Sequence, residues 1–218
     1  MLVKDVMRSP VLTVDETVSL GAAYTLMLER NIRHIAVTRA GQVVGMVTDR
    51  DIRLASSSLN QGGVKPLETP VREVMSHPLV TADPLDPVEE AARAMRERKI
   101  GALPVMDGAE MVGIVTGVDL LEALLHLTGV HKPSGRLEVA LLDRPGELAR
   151  LTSFLAERNV NIHSLLTSPS SSEGVVAVAR VGTLDTHRLA EELRAGGFEV
   201  RWPPDKFSPE PGIRNPEP

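Results

Sequence analysis

At 218 residues, 42% hydrophobic and 24% charged, the chain has room for two compact units of ordinary soluble composition. Aromatic residues at 2% and a net charge of −5 without a polybasic run argue against base stacking and against nucleic acid as a partner. The lack of cysteine removes disulfides and thiolate metal sites; residues 120–127 are too short to span a bilayer and MLVKDVMRSP has no signal-peptide core, so a cytoplasmic protein without a membrane partner is expected.

The first half of the chain repeats itself. Val3-Lys-Asp-Val-Met7 aligns with Val71-Arg-Glu-Val-Met75, and the offset of 68 residues holds without a gap through Met27/Met95, Gly45/Gly113, Thr48/Thr116 and Asp51/Asp119. Residues 1–58 and 68–127 therefore read as two copies of one unit, joined by the loop-rich stretch 55–63. In each copy a helix comes first, with Val18, Ala22, Leu26 and Met27, or Val88, Ala91, Ala92 and Met95, at helical spacing. Asp86, Pro87 and Glu89 read as the N-cap, first-turn proline and capping acid of the second helix. Two hairpin strands follow, 32–37 with 43–48 and 100–105 with 111–116, turning at Ala40-Gly41 and Asp107-Gly108. A helix over 120–127 closes the second copy, and so small a sheet buries both faces only if the copies pack together.

Residues 128–135 read as a linker. Beyond it come a strand at 137–142, a turn Asp143-Arg-Pro-Gly146 into a helix with Leu148, Leu151, Phe154 and Leu155 on one face, and strands at 161–167 and 175–181 split by a serine-rich hairpin. A helix capped by Asp185 stops at Gly196-Gly197, and 198–202 is the last strand. The order is βαββαβ, the ferredoxin-like arrangement, over 136–202. Residues 203–218, rich in proline and charge, read as a flexible or partner-draped tail.

Gly45-Met-Val-Thr-Asp-Arg-Asp51 and Gly113-Ile-Val-Thr-Gly-Val-Asp119 resemble the Gly-h-h-Thr-x-x-Asp signature of CBS repeats, where h is apolar. The preceding runs ending at Val37 and Val105 resemble the family's strand before it. Asp143-Arg-Pro-Gly-Glu-Leu148 with Asn159-Val-Asn-Ile162 resembles an ACT domain, and a CBS pair followed by ACT resembles the AcuB-type acetoin-utilisation proteins. The fold class expected is α+β: a two-repeat CBS module followed by a ferredoxin-like ACT domain.

The resemblance implies a regulatory adenosine ligand, AMP, ADP, ATP or an S-adenosyl compound, with no cofactor required. A carboxylate suits the vicinal hydroxyls of a ribose, while a threonine hydroxyl and a helix start suit a phosphate. In related pairs the Thr/Asp motif of one copy faces the strand of the other. Here that joins Thr48 and Asp51 to Ile100, Gly101 and Ala102, and Thr116 and Asp119 to Ile32, Arg33 and His34. Copy one carries Arg33, His34 and Arg50 where copy two has Gly101, Ala102 and Val118, so phosphate-neutralising groups come mainly from copy one, and the Thr48/Asp51 cleft is favoured. In the ACT domain, Asp143, Gly146 and Asn161 are the candidates for an amino acid held at a subunit interface, which makes a homodimer the expected minimum.

Plainer roles remain open for these residues. Asp51 and Asp119 can be helix N-caps, Arg33 and Arg50 solvated charges and His34 a packing residue; Asp143, Pro145 and Gly146 can serve only to start a helix, and Asn161 to end a strand. The six histidines show no His-x-x-x-His metal spacing, and there is no nucleophile elbow or Walker loop, so no enzyme is expected. The readings are a small-molecule sensor acting on an unnamed protein partner or a structural dimerisation adaptor with empty clefts.

Overall fold

The computed structural model describes residues 1–58, 62–170 and 174–205. The middle of the 55–63 loop, the tip of the serine-rich hairpin and the tail from 206 lie outside the described residues. The chain divides into two compact units, residues 1–123 and 124 onward, each with its own core. Helices and sheets are both present, and no helix among the described residues is long and apolar enough to cross a membrane.

The first unit contains β1 (Thr13–Asp15), α1 (Leu20–Glu29), β2 (His34–Arg39), β3 (Gln42–Thr48) and α2 (Asp49–Ala55), then α3 (Val88–Arg98), β4 (Ala102–Asp107), β5 (Glu110–Thr116) and α4 (Gly117–Leu127), which runs on past residue 123. β2 and β3 form an antiparallel hairpin turning at Ala40-Gly41, both at positive φ, with β1 added parallel to β2. β4 and β5 form the matching hairpin, but its turn is Gly108-Ala109 because Asp107 still pairs with Glu110. Both strand pairs begin two residues later than the periodicity predicts, leaving Ile32, Arg33, Ile100 and Gly101 ahead of their strands.

The helix faces also differ in detail. α1 buries Leu20, Ala23 and Met27, and Ala22 is exposed; α3 buries Val88, Ala91 and Met95, and Ala92 is exposed. Three-and-four spacing admits two adjacent faces, and packing selects the one that meets the sheet. Asp86 is not the cap of α3: Pro87 holds that position, while the Asp86 carboxylate accepts from the Asp83 N–H and closes a local turn.

The sequence does not announce how the copies are joined. Val3, with Val6 and Met7 against it, belongs to the core built by α3, β4 and β5; Val71, with Val74 and Met75, belongs to the core built by α1, β2 and β3. The two repeated pentapeptides are exchanged, each packing in the other copy. Backbone bonds fix the exchange: Val3 N–H to Asp86 O at 2.9 Å, and Val71 N–H to Val18 O at 2.8 Å. A cut at 58/68 therefore separates each pentapeptide from the core it completes. A further cluster, Ala36, Met46 and Ala102 with Ile114 and Leu79 against it, joins the two hairpins.

The motif glycines are part of this joint. A Cβ on Gly45 would stand 2.9 Å from Met75 Cγ and closer to its sulfur; one on Gly113 would stand 2.9 Å from Met7 Cγ and closer to its sulfur. Only glycine lets each methionine lie flat on the opposite hairpin.

The second unit contains β6 (Gly135–Leu141), α5 (Glu147–Glu157), β7 (Ile162–Pro169), β8 (Val175–Val181), α6 (Thr186–Ala195) and β9 (Glu199–Trp202). The sheet order β7-β8-β6-β9, all antiparallel, is the ferredoxin-like arrangement. Leu151, Leu155, Leu189, Ala190 and Leu193 cover the sheet face that presents Leu137, Val139, Ala177 and Ala179, whereas Leu148 is exposed. Asp185 caps α6 as expected, its carboxylate accepting from the Arg188 N–H. α5 starts at Glu147, directly after the expected turn, with Gly146 at φ +96° as its N-cap and Pro145 outside the helix rather than at its first position.

Gly45→Ala is expected to destabilise the protein by about 1–3 kcal/mol through overpacking against Met75. Combined with Met75→Ala it should cost clearly less than the sum of the single changes. Urea denaturation of the four proteins checks this, and strict additivity would contradict the packing described.

Candidate functional site

Thr48 ends β3 and caps α2, so the strand hands directly to the helix at the motif. Its Oγ1 accepts from the Asp51 N–H at 3.1 Å; in return Asp51 Oδ2 accepts from the Thr48 N–H at 3.0 Å and from its hydroxyl at 2.7 Å. Thr116 and Asp119 repeat the arrangement, with 3.4, 2.9 and 2.6 Å for the same bonds. The motif is thus a reciprocal capping pair in both copies. This corrects one expected role: the threonine proton is committed to the aspartate and is not available to a phosphate.

The remaining carboxylate oxygens differ. Among the described residues no donor bonds Asp51 Oδ1. Asp119 Oδ1 accepts from Arg8 Nε at 2.7 Å, and the Asp119 side chain is only 7% exposed.

His34 stands opposite Thr48 in the β2–β3 register. Its imidazole lies over Gly101, where a Cβ would come within 2.8 Å of Nε2. Burial pushes its pKa down, against the smaller upward pull of Asp49 and Asp51, with Arg33 adding to the decrease. His34 is therefore neutral at pH 7, with one ring nitrogen donating and one accepting. The expectation that it neutralises phosphate is corrected accordingly. Arg33 and Arg50 are exposed, and neither has a carboxylate partner among the described residues. The structure thus gathers Thr48, Asp51, His34 and Gly101.

It sends other candidates elsewhere. Ala102 is buried in the cluster between the hairpins, and Ile32 and Ile100 pack against the cores of their own copies. Ala102 is thus enclosed, while Ile32 and Ile100 are half-buried.

In the second unit, Asp143 and Gly146 lie at the end of the sheet where Leu141 pairs with Val175. Asn161 precedes Ile162, which pairs with Val181 at the other end. A seven-residue strand separates them by about 20 Å, so one protomer does not bring the three together. What lies beside Asp143 is a cavity of about 300 Å3 lined by Arg144, Glu147, Arg150, Glu199 and Arg201 among others. Glu147 is buried and paired with Arg144 at 2.7 Å and Arg150 at 3.6 Å. In the sequence these residues are signalled only by the spacing Arg144, Glu147, Arg150 around a helix start.

Comparison with known proteins follows this division. The CBS-domain profile matches residues 3–58 and 71–126, and the ACT-domain profile residues 135–195. The CBS domain-containing protein YhcV of Bacillus subtilis is 39% identical over 118 residues, 54% of this chain and 81% of that protein. The crystal structure of the CBS domain pair of protein MJ0100, in complex with 5′-methylthioadenosine and S-adenosyl-L-methionine, is 30% identical, with TM-score 0.52, and covers 61% of this chain and 98% of its own. A Vibrio cholerae structure assigned to acetoin utilization (AcuB) is 34% identical, with TM-score 0.50, over 61% of this chain and 98% of its own. Enzymes matched by the chain are covered over much smaller shares of their length, 23% and 38% in two cases.

The His34 environment has a pH consequence. Its folded pKa lies below the ordinary 6.5, so the unfolded chain takes up the proton first as pH falls. The stability tied to neutral His34 is complete above pH about 6.5 and is lost as pH falls toward the folded pKa. Denaturation at about pH 7.5 and about pH 5 should show a smaller acid loss for His34→Gln than for the parent; equal losses would contradict the assignment.

Proposed function

Since the chain belongs to the CBS-domain family and carries an ACT domain behind its repeat pair, we propose that it is a regulatory sensor that binds an adenosine-containing molecule at Asp51. The observation that carries this reading is Asp51 Oδ1, bonded by no described residue, near neutral His34, whose ring lies over Gly101. A carboxylate oxygen held in place by its own capping bonds accepts from ribose hydroxyls without reorganising. An uncharged imidazole and a missing side chain suit the edge and face of an adenine ring. Exposed Arg33 and Arg50 supply positive charge for phosphates where the ligand has them. The CBS pair of MJ0100, bound to two adenosine compounds, supports the ligand class.

The ACT unit is assigned the second input, an amino acid at a subunit interface. Asp143 and Asn161 lie at opposite ends of one sheet, so such a site needs a second chain to complete it. The edge strands β7 and β9, and the exposed stripe Val118, Leu121 and Leu125 on α4, favour a homodimer. The output we assign is regulation of a protein partner, with acetoin utilisation, as assigned to the Vibrio cholerae relative, the process to test first. The adaptor reading draws on the self-satisfied capping pairs, which need no ligand to be stable.

Asp51→Asn keeps an acceptor for the Thr48 N–H and removes the charge, so AMP affinity should fall about 10- to 150-fold. Calorimetry measures it, and light scattering on the same samples should report twice the 23.5 kDa chain mass. Unchanged affinity would remove Asp51 from the site. No binding of any adenosine compound, with the dimer intact, would favour the adaptor; a monomer would remove the interface site.

A further inference from the structure

The two capping pairs are alike in their internal bonds, yet among the described residues only Asp51 keeps an open carboxylate oxygen. The cause lies outside the motif, at the end of the exchanged segments. Arg8 and Ser76 occupy the same place, 68 residues apart. Each is clamped to the opposite hairpin by a reciprocal backbone pair: Arg8 N–H to Ile114 O at 2.8 Å with Ile114 N–H to Arg8 O at 3.0 Å, and Ser76 N–H to Met46 O at 2.8 Å with Met46 N–H to Ser76 O at 3.2 Å. Met46 and Ile114 are again 68 apart. From this shared position the Arg8 guanidinium reaches Asp119 Oδ1, while the Ser76 hydroxyl turns back to Met46 O at 3.2 Å.

We propose that Arg8 is a latch that closes the Asp119 cleft, so that the paired clefts act as one tight adenosine site at Asp51 and one weak site at Asp119. This rests on the sensor reading above. A ribose can use Asp119 only after displacing a charge-assisted bond from a buried carboxylate whose other oxygen is already held by Thr116. The Arg8 side chain is 69% exposed, so the latch is anchored by its backbone and by the one ion pair, and it opens without disturbing a core. Arg8 is a specificity-determining residue in this scheme: it decides which copy binds, although it lies more than a hundred residues from the motif it controls.

The test is calorimetric titration of the full chain with AMP. The parent should show one tight site per chain and a second weaker by about tenfold or more. Arg8→Ser should bring the second site to comparable affinity. Ser76→Arg, which leaves Asp119 and its partner untouched, should weaken the tight site by a similar factor. In the double exchange Arg8→Ser/Ser76→Arg, the tight site should become sensitive to Asp119→Asn and insensitive to Asp51→Asn. Melting curves establish that each variant folds, and Ser76→Arg carries the test if loss of Arg8 unfolds copy two. One tight site in the parent, unchanged by either substitution, overturns the latch and leaves the sensor reading standing. Loss of affinity at the second site in Arg8→Ser also overturns it, making Arg8 a ligand contact. A gained site in Arg8→Ser with none in the parent keeps the latch and overturns the assignment to Asp51. No AMP binding in parent or variants overturns both.

Discussion

The exchange of two five-residue segments is the contact on which the first unit depends. Met7 lies on Gly113 and Met75 on Gly45, and each methionine closes a core its own copy does not contain. Neither hairpin alone can cover both faces of its sheet, so each copy borrows the missing wall from the other. The same exchange clamps Ser76 against Met46 and Arg8 against Ile114, and from there Arg8 reaches Asp119. One structural device thus completes both cores and, in the latch proposed above, decides which cleft is open.

The capping pairs explain why a binding motif can also be a folding motif. Threonine and aspartate satisfy each other at the strand-to-helix junction, so the junction holds its shape by its own bonds, and the proposed site needs no ligand to form. Only the second carboxylate oxygen remains to be used. Burial keeps His34 neutral beside Asp51, and the local field there is that of a carboxylate with exposed arginines nearby. Copy two has the same frame with its free oxygen already paired.

Much of this architecture is legible in the residues. The 68-residue offset reveals the repeat because both copies build the same hairpin and motif, and the β8 strand and the Asp185 cap stand where periodicity and capping chemistry put them. The exchange is not legible, because Val3-Lys-Asp-Val-Met7 is adjacent in sequence to the copy it does not complete. Gly45 and Gly113 read as part of a ligand signature, whereas their spatial reason is a methionine from the other copy. Ala22, Ala92 and Leu148 lie one position off the buried face, since spacing fixes a helix's stripe only to within a neighbouring residue. The Arg8/Ser76 difference falls outside any motif and acquires meaning only when the backbone places both residues against the hairpins. In the ACT domain the residue types suit an amino acid, but register puts Asn161 at the far end of the sheet from Asp143, which spacing along the chain does not reveal.

The most direct measurement is a crystal structure of the full chain grown with AMP just above its affinity for the tighter site. The account predicts one nucleotide per chain, its ribose hydroxyls on Asp51 Oδ1, with Arg8 still on Asp119. A ribose on Asp119 with Asp51 vacant would contradict it.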